Sequence, residues 1–249
     1  LEYKLEIGLS NGDIVGASEF TRNAPRLLLD AVLKWNFYQN FELWAGQTKL
    51  PGNRERIISS ANMQFVDRSL LNSLFNIDRD MGVQLWHQIE LGEGFLIKEA
   101  VAISQGEGRN VTSENLGGLQ WTYRLEFLPF GNFDGVCEGS NLQREESPKL
   151  ALGISYDHND NAVKTRSNMG SYMITDYGFH QSDINTLFID AMFNFKSFSI
   201  MGEYAQRAAD YPIAMNHDGT ASGDVVNEGS ALNLQAGFLF KSNYELALR

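Results

Sequence analysis

The chain has almost no cysteine, little proline, no long apolar run and a shortage of positive charge. A single cysteine, Cys137, cannot close an internal disulfide and reads as a free thiol without function. Five prolines against 23 glycines lean toward sheet. No apolar run reaches the roughly 20 residues that a membrane helix requires. Lysine and arginine number 20 against 31 acidic residues, a net charge of -11, which argues against a nucleic-acid partner because such partners require a basic stripe. The four histidines, His87, His158, His180 and His217, stand in no recognised metal spacing, and the run DHNDN (157–161) reads as a solvated acidic loop, with weak cation binding as the lesser alternative. No nucleophile elbow or phosphate loop is visible. The expectation is a chain that is no enzyme, with no metal and no cofactor.

What is present is alternation. In LGGLQWTYRLEF (116–127), Leu119, Trp121, Tyr123, Leu125 and Phe127 point one way, and Gln120, Thr122, Arg124 and Glu126 the other. Period two means a strand with one apolar and one polar face. About eleven segments read this way: 3–9, 28–37, 41–48, 82–91, 95–104, 118–127, 150–156, 187–195, 198–207, 232–241 and a last one from 244 cut at 249. His87 falls on the apolar side of its strand. The links alternate between long and very short, apart from a link of about twenty residues after the sixth strand. That rhythm predicts an up-and-down sheet with its long loops on one side.

The apolar face could meet lipid or a second sheet. The long-short rhythm favours lipid. The expected fold class is therefore all-β, a transmembrane antiparallel up-and-down β-barrel, with residues 1–249 forming part of one barrel domain of an outer membrane. Aromatics near strand ends, Trp35, Phe37, Phe41, Tyr123 and Phe127 among them, would form interfacial girdles. Lys4, Lys34, Arg124 and Arg207 occupy polar-side strand positions and are the candidate pore-lining cations; Glu6, Asp30, Glu126, Glu203 and Glu245 share that side. A barrel must close, since an open edge cannot sit in hydrocarbon. Eleven strands with the last one severed therefore read as a fragment.

Residues 49–80 break the alternation. Pro51-Gly52 marks a turn, and Ile57, Ile58, Phe65, Leu70, Leu71, Leu74 and Phe75 make the stretch too apolar to stand free in water. It is expected to fold inward as a constriction. Its Arg54, Arg56, Arg68 and Arg79 would either offer guanidinium donors to an anion or pin the loop through the neighbouring acids.

On this segment, GQTKLPGNRERIISSANMQFVDRSLLNSLFNIDRDMGVQLW (46–86), and again on PKLALGISYDHN (148–159), the chain resembles the phosphate-selective porin O and P family of Gram-negative outer membranes. The resemblance implies a sixteen-stranded barrel, a homotrimer in outer-membrane lipid, and passive uptake of anions such as phosphate. The excess of acids over bases shifts that expectation toward a porin for small solutes generally. The alternative is a structural or accessory barrel subunit of a larger outer-membrane assembly.

Overall fold

The computed structural model describes residues 1–14, 18–22, 24–92, 94–112, 115–133 and 138–249. Cys137 lies outside the described residues.

Alternation becomes strand throughout. In chain order these are β1 (Glu2–Ile7), β2 (Leu28–Tyr38), β3 (Phe41–Lys49), β4 (Arg79–Leu91), β5 (Phe95–Ser104), β6 (Gln120–Leu128) and β7 (Lys149–Ala162). Three small hairpins intervene in the later loops: β8 (Lys164–Arg166) with β9 (Met169–Tyr172), β10 (Ile174–Thr175) with β11 (Gly178–Phe179), and β14 (Ile213–Met215) with β15 (Ala221–Val225). The remaining long strands are β12 (Ser182–Phe195), β13 (Phe198–Ala209) and β16 (Gly229–Leu239), followed by β17 (Glu245–Leu248). Eleven of them form one sheet in the order β1-β2-β3-β4-β5-β6-β7-β12-β13-β16-β17, and every pair is antiparallel. This is a meander in which sequence neighbours are sheet neighbours.

The sheet does not close. Among the described residues β1 pairs only with β2, and β17 only with β16. This overturns the expected transmembrane barrel, because an open edge leaves backbone N–H and C=O groups unpaired, and hydrocarbon cannot satisfy them. The outer-membrane placement, the lipid contact, the aromatic girdles, the homotrimer and the accessory barrel subunit all rested on a closed wall and fall with it. No helix among the described residues is long and apolar enough to cross a membrane, which bears on helices alone.

The two faces of the sheet differ in a consistent way. One row in register runs Leu125, Ile154, Ile189, Tyr204, Leu232 across β6, β7, β12, β13 and β16. Ile154, Ile189 and Leu232 in that row are exposed. The adjacent row on the opposite face runs Glu126, Gly153, Asp190, Glu203, Asn233 on the same strands, and Asp190, Glu203 and Asn233 are buried. The polar face is covered and the apolar face is left open.

The cover on the polar face is residues 49–80. A first short helix, α1 (Asn11–Ile14), follows β1; after β3 the chain turns at Pro51-Gly52 and forms α2 (Arg54–Ile57) and α3 (Leu70–Phe75). Ser69 caps α3, its Oγ accepting from Asn72 N at 3.1 Å. Leu50, Leu71, Phe75 and Ile77 pack onto Ala102 of β5, Phe188 of β12 and Ala205 of β13. This small apolar patch holds the segment on an otherwise polar surface.

Candidate functional site

The eight cations singled out in the sequence fall into two groups. Arg54, Arg124 and Arg207 are buried anchors that join residues 49–80 to the sheet. Arg54 donates from Nε to Asp190 Oδ1 at 2.8 Å and pairs with Glu126. Arg124 reaches Asp190 Oδ2 at 2.8 Å and the Gly52 carbonyl at 3.0 Å. Arg207 donates to the carbonyls of Leu74 at 3.0 Å and Phe75 at 2.7 Å. Desolvation pulls the Arg207 guanidinium down to about 10. Charges this deeply buried need their donors satisfied: Arg54 and Arg124 by carboxylates, Arg207 by Thr186 Oγ1 and the two carbonyls.

Glycine makes room for these contacts. A Cβ on Gly153 would sit 2.5 Å from both Arg124 Nη2 and Asp190 Oδ1. The guanidinium of β6 and the carboxylate of β12 therefore meet across β7 only because that position has no side chain. Gly237 clears the same kind of space for Gln64, whose Nε2 bonds Ser199 Oγ at 3.0 Å and Glu245 Oε1 at 2.7 Å.

The other five, Lys4, Lys34, Arg56, Arg68 and Arg79, come together around a cavity of about 660 Å³ between β1–β4 and the inserted segment. Lys49 and Arg109 join them, so seven cations face four carboxylates: Glu6, Asp13, Asp30 and Asp78. Those carboxylates are engaged. Arg79 Nε donates to Asp30 Oδ1 at 2.8 Å, Lys4 pairs with Asp30 and lies 2.7 Å from Glu6, Arg56 Nε donates to Asp78 Oδ1 at 2.7 Å, and Arg109 pairs with Asp13. Burial alone would raise the Asp30 carboxyl, but Arg79 and Lys4 hold it down at about 2. Burial likewise opposes ionisation of Asp78, and Arg56 and Arg79 keep it below the usual carboxylate range. Lys34 lies 4.1 Å over the Trp44 ring, and Trp44 packs against Trp86 with centroids 5.0 Å apart.

Lys49 and Arg68 differ from the rest. Their described hydrogen bonds run to main-chain carbonyls: Lys49 Nζ to Arg56 O at 3.0 Å, and Arg68 to Glu55 O and to Ile58 O at 3.0 Å. Desolvation, followed by the neighbouring Arg79, Arg56 and Arg68, lowers Lys49 to about 8. Desolvation and Arg56 also lower Arg68.

Lys49, Arg109, Trp44 and Trp86 also line the cavity, beyond the cations that alternation and charge point to. Lys49 stands opposite Arg79 in register, and the signal available in the sequence was its position at the strand end, just before the non-alternating segment. A second cavity of about 450 Å³, lined by Arg54, Lys98, Arg124 and Glu126, shares Ile57 and Trp86 with the first.

DHNDN is not a loop. Asp157 to Asn161 continue β7, with Asp157 and Asn159 buried. His158 and Asp160 converge with Asp183 so that their ligand atoms lie within 4.8 Å of one another, partly exposed. His158 Nδ1 is 2.9 Å from Asn185 Oδ1, and Asp183 accepts from Asn161 N at 2.9 Å.

No family model matches the chain, and no curated protein or solved structure gives a match. The porin resemblance drawn on 46–86 is corrected accordingly. Without a closed wall, passive diffusion through a pore also has no structural basis in the described residues.

Proposed function

We propose that the protein binds a compact anion, carrying a carboxylate or a phosphate, in the cavity between β1–β4 and residues 49–80. This is a binding function; no passage through the sheet is part of it. The observation that carries it is the surplus of cations in the cavity wall, above all Lys49 and Arg68, whose described hydrogen bonds run to neutral carbonyls while carboxylates act on them only through space. In a chain of net charge -11, this concentration of positive charge is local. Guanidinium groups match carboxylate and phosphate oxygens in a planar fork. Partial burial weakens screening, so the unbalanced charge attracts an anion more strongly than an exposed lysine would. The Trp44 and Trp86 rings supply an apolar wall for the ligand's carbon skeleton.

The test is calorimetric titration with lactate and with inorganic phosphate at low ionic strength. Saturable binding is expected that weakens as salt is added. Arg68→Gln should lower the affinity about tenfold, near 1.4 kcal/mol. Absence of saturable binding for both anions, or binding indifferent to Arg68→Gln and Lys49→Met, would overturn the reading.

A further inference from the structure

Lys49 is placed as more than a point charge. Lys49 lines the cavity, and its Nζ donates one described hydrogen bond, to the Arg56 carbonyl. No described ion pair holds it, whereas Lys4 is held by two carboxylates. Arg56, Arg68 and Arg79 stand around it from α2, from the coil before α3 and from β4, and Asp78 is the acidic group that acts on it.

We propose that Lys49 forms an imine with a small 2-oxo carboxylate bound in the cavity, the carboxylate engaging Arg68 and the carbonyl carbon lying at Nζ. The proposal rests on the anion-binding reading and narrows its ligand class.

The chemistry balances without a co-reactant. The lone pair of the neutral amine attacks the carbonyl carbon, and a proton moves from nitrogen to the former carbonyl oxygen. The resulting carbinolamine loses water as the C–O bond breaks and the C=N bond forms. One water leaves for each imine, and nothing is oxidised or reduced. The step requires free amine, and surrounding cations with partial burial supply it by disfavouring the ammonium form. An ordinary lysine at 10.5 is almost wholly protonated near pH 8, where Lys49, lowered to about 8, is about half neutral.

The molecule contains its own control. Lys164 is also lowered to about 8 by burial, but it is 4 % exposed, donates to the Glu107 carbonyl and is not among the cavity-lining residues. If access to the cavity decides reactivity, Lys49 reacts and Lys164 does not.

The experiment treats the protein with pyruvate and cyanoborohydride near pH 8 and maps the reduced adduct by peptide mass spectrometry, with lactate binding measured in parallel. The expected result is labelling at Lys49 on the order of tenfold faster than at the other seven lysines. Labelling should be slowed by lactate and absent at this position in Lys49→Arg, which keeps the charge. Labelling spread evenly over exposed lysines would overturn the proposal. Lactate binding without a Lys49 adduct would overturn it while leaving the anion-binding reading intact. Failure of pyruvate, lactate and inorganic phosphate alike to bind would overturn both.

Discussion

The two faces of the sheet reverse the usual arrangement of a globular protein. Asp190, Glu203, Thr122 and Asp157 on the covered face are at most 3 % exposed, while Ile189, Leu232 and Leu234 on the other face are 47–65 % exposed. Burial here does not follow hydrophobicity. It follows where residues 49–80 and the β8–β9 hairpin lie: Arg54 and the Glu55 N–H meet Asp190 and Glu203, and Ser167 meets Asp157. The covered face is thus held by specific ion pairs and hydrogen bonds, with apolar patches at Phe75 and Phe188, at Met173 and Ile184, and at Ala151 and Met192. The open face carries apolar side chains whose solvation changes little when one of them is altered. Substitutions on the covered face should therefore cost much more than those on the open face.

The largest effect is expected at Arg54. Arg54→Ala leaves the two buried carboxylates Glu126 and Asp190 to share the single guanidinium of Arg124, with Lys98 acting on Glu126 only through space. An uncompensated buried charge costs roughly 3–5 kcal/mol. Urea unfolding should show the unfolding free energy falling by that amount, read as a lower midpoint at an unchanged slope. A loss below about 1 kcal/mol would mean that the segment is held by its apolar patch, and that the ion pairs add little.

Glu203 should give a pH signature. Burial, reinforced by Asp190 and Glu55, pushes its carboxyl up to about 7. Below 4.5 the folded and unfolded chains both hold this proton. Between 4.5 and about 7 only the folded chain holds it, so stability falls as pH rises through that window. Glu203→Gln removes the titration and should be more stable than the parent at pH 8, on the order of 2–3 kcal/mol, with the difference vanishing near pH 4. Unfolding midpoints for both proteins across pH 4–8 decide it, and parallel profiles would show that Glu203 keeps its charge when folded.

Gly153→Ala is expected to cost about 1–3 kcal/mol, because the new methyl enters the space where Arg124 meets Asp190 and one of them must shift. Adding Arg124→Met to Gly153→Ala should cost less than the sum of the two single changes, since both act on the same contact. Additive losses would separate the glycine from the ion pair.

The same comparison shows what was legible in the sequence. Strands could be read wherever apolar residues occupied one face, as in β6 and β13, and the turn at Tyr38-Gln39-Asn40 was legible as well, with Gln39 at φ 39°. β7 runs on to Ala162 past the expected end at Tyr156, because Asp157 to Asn161 offer no apolar residue to mark a face. β12 begins at Ser182 instead of Leu187, because Ile184 puts an apolar residue on the polar side and hides the alternation. Closure was not legible, since alternation states that two faces differ and nothing about whether the first strand meets the last. Lys49, Arg68 and Arg79 were visible as residues. The cavity they share depends on how 49–80 folds back over β1–β4, and no local periodicity encodes that.

The smallest effect is expected on the open face. Leu232 and Leu234 are each more than 60 % exposed, so truncating either removes little buried apolar area. Leu232→Ser and Leu234→Ser should each change stability by no more than about 0.5 kcal/mol, as exposed positions do. The pair should depart little from additivity, because each side chain is mostly exposed and the single effects are small. Urea unfolding at two protein concentrations is the sharper form of the test. A loss above about 2 kcal/mol, or a midpoint that rises with concentration in the parent but not in the double variant, would show that this face is covered in solution by another copy of the chain. The contrast between the faces would then belong to the isolated chain, and burial on the open side would again follow hydrophobicity.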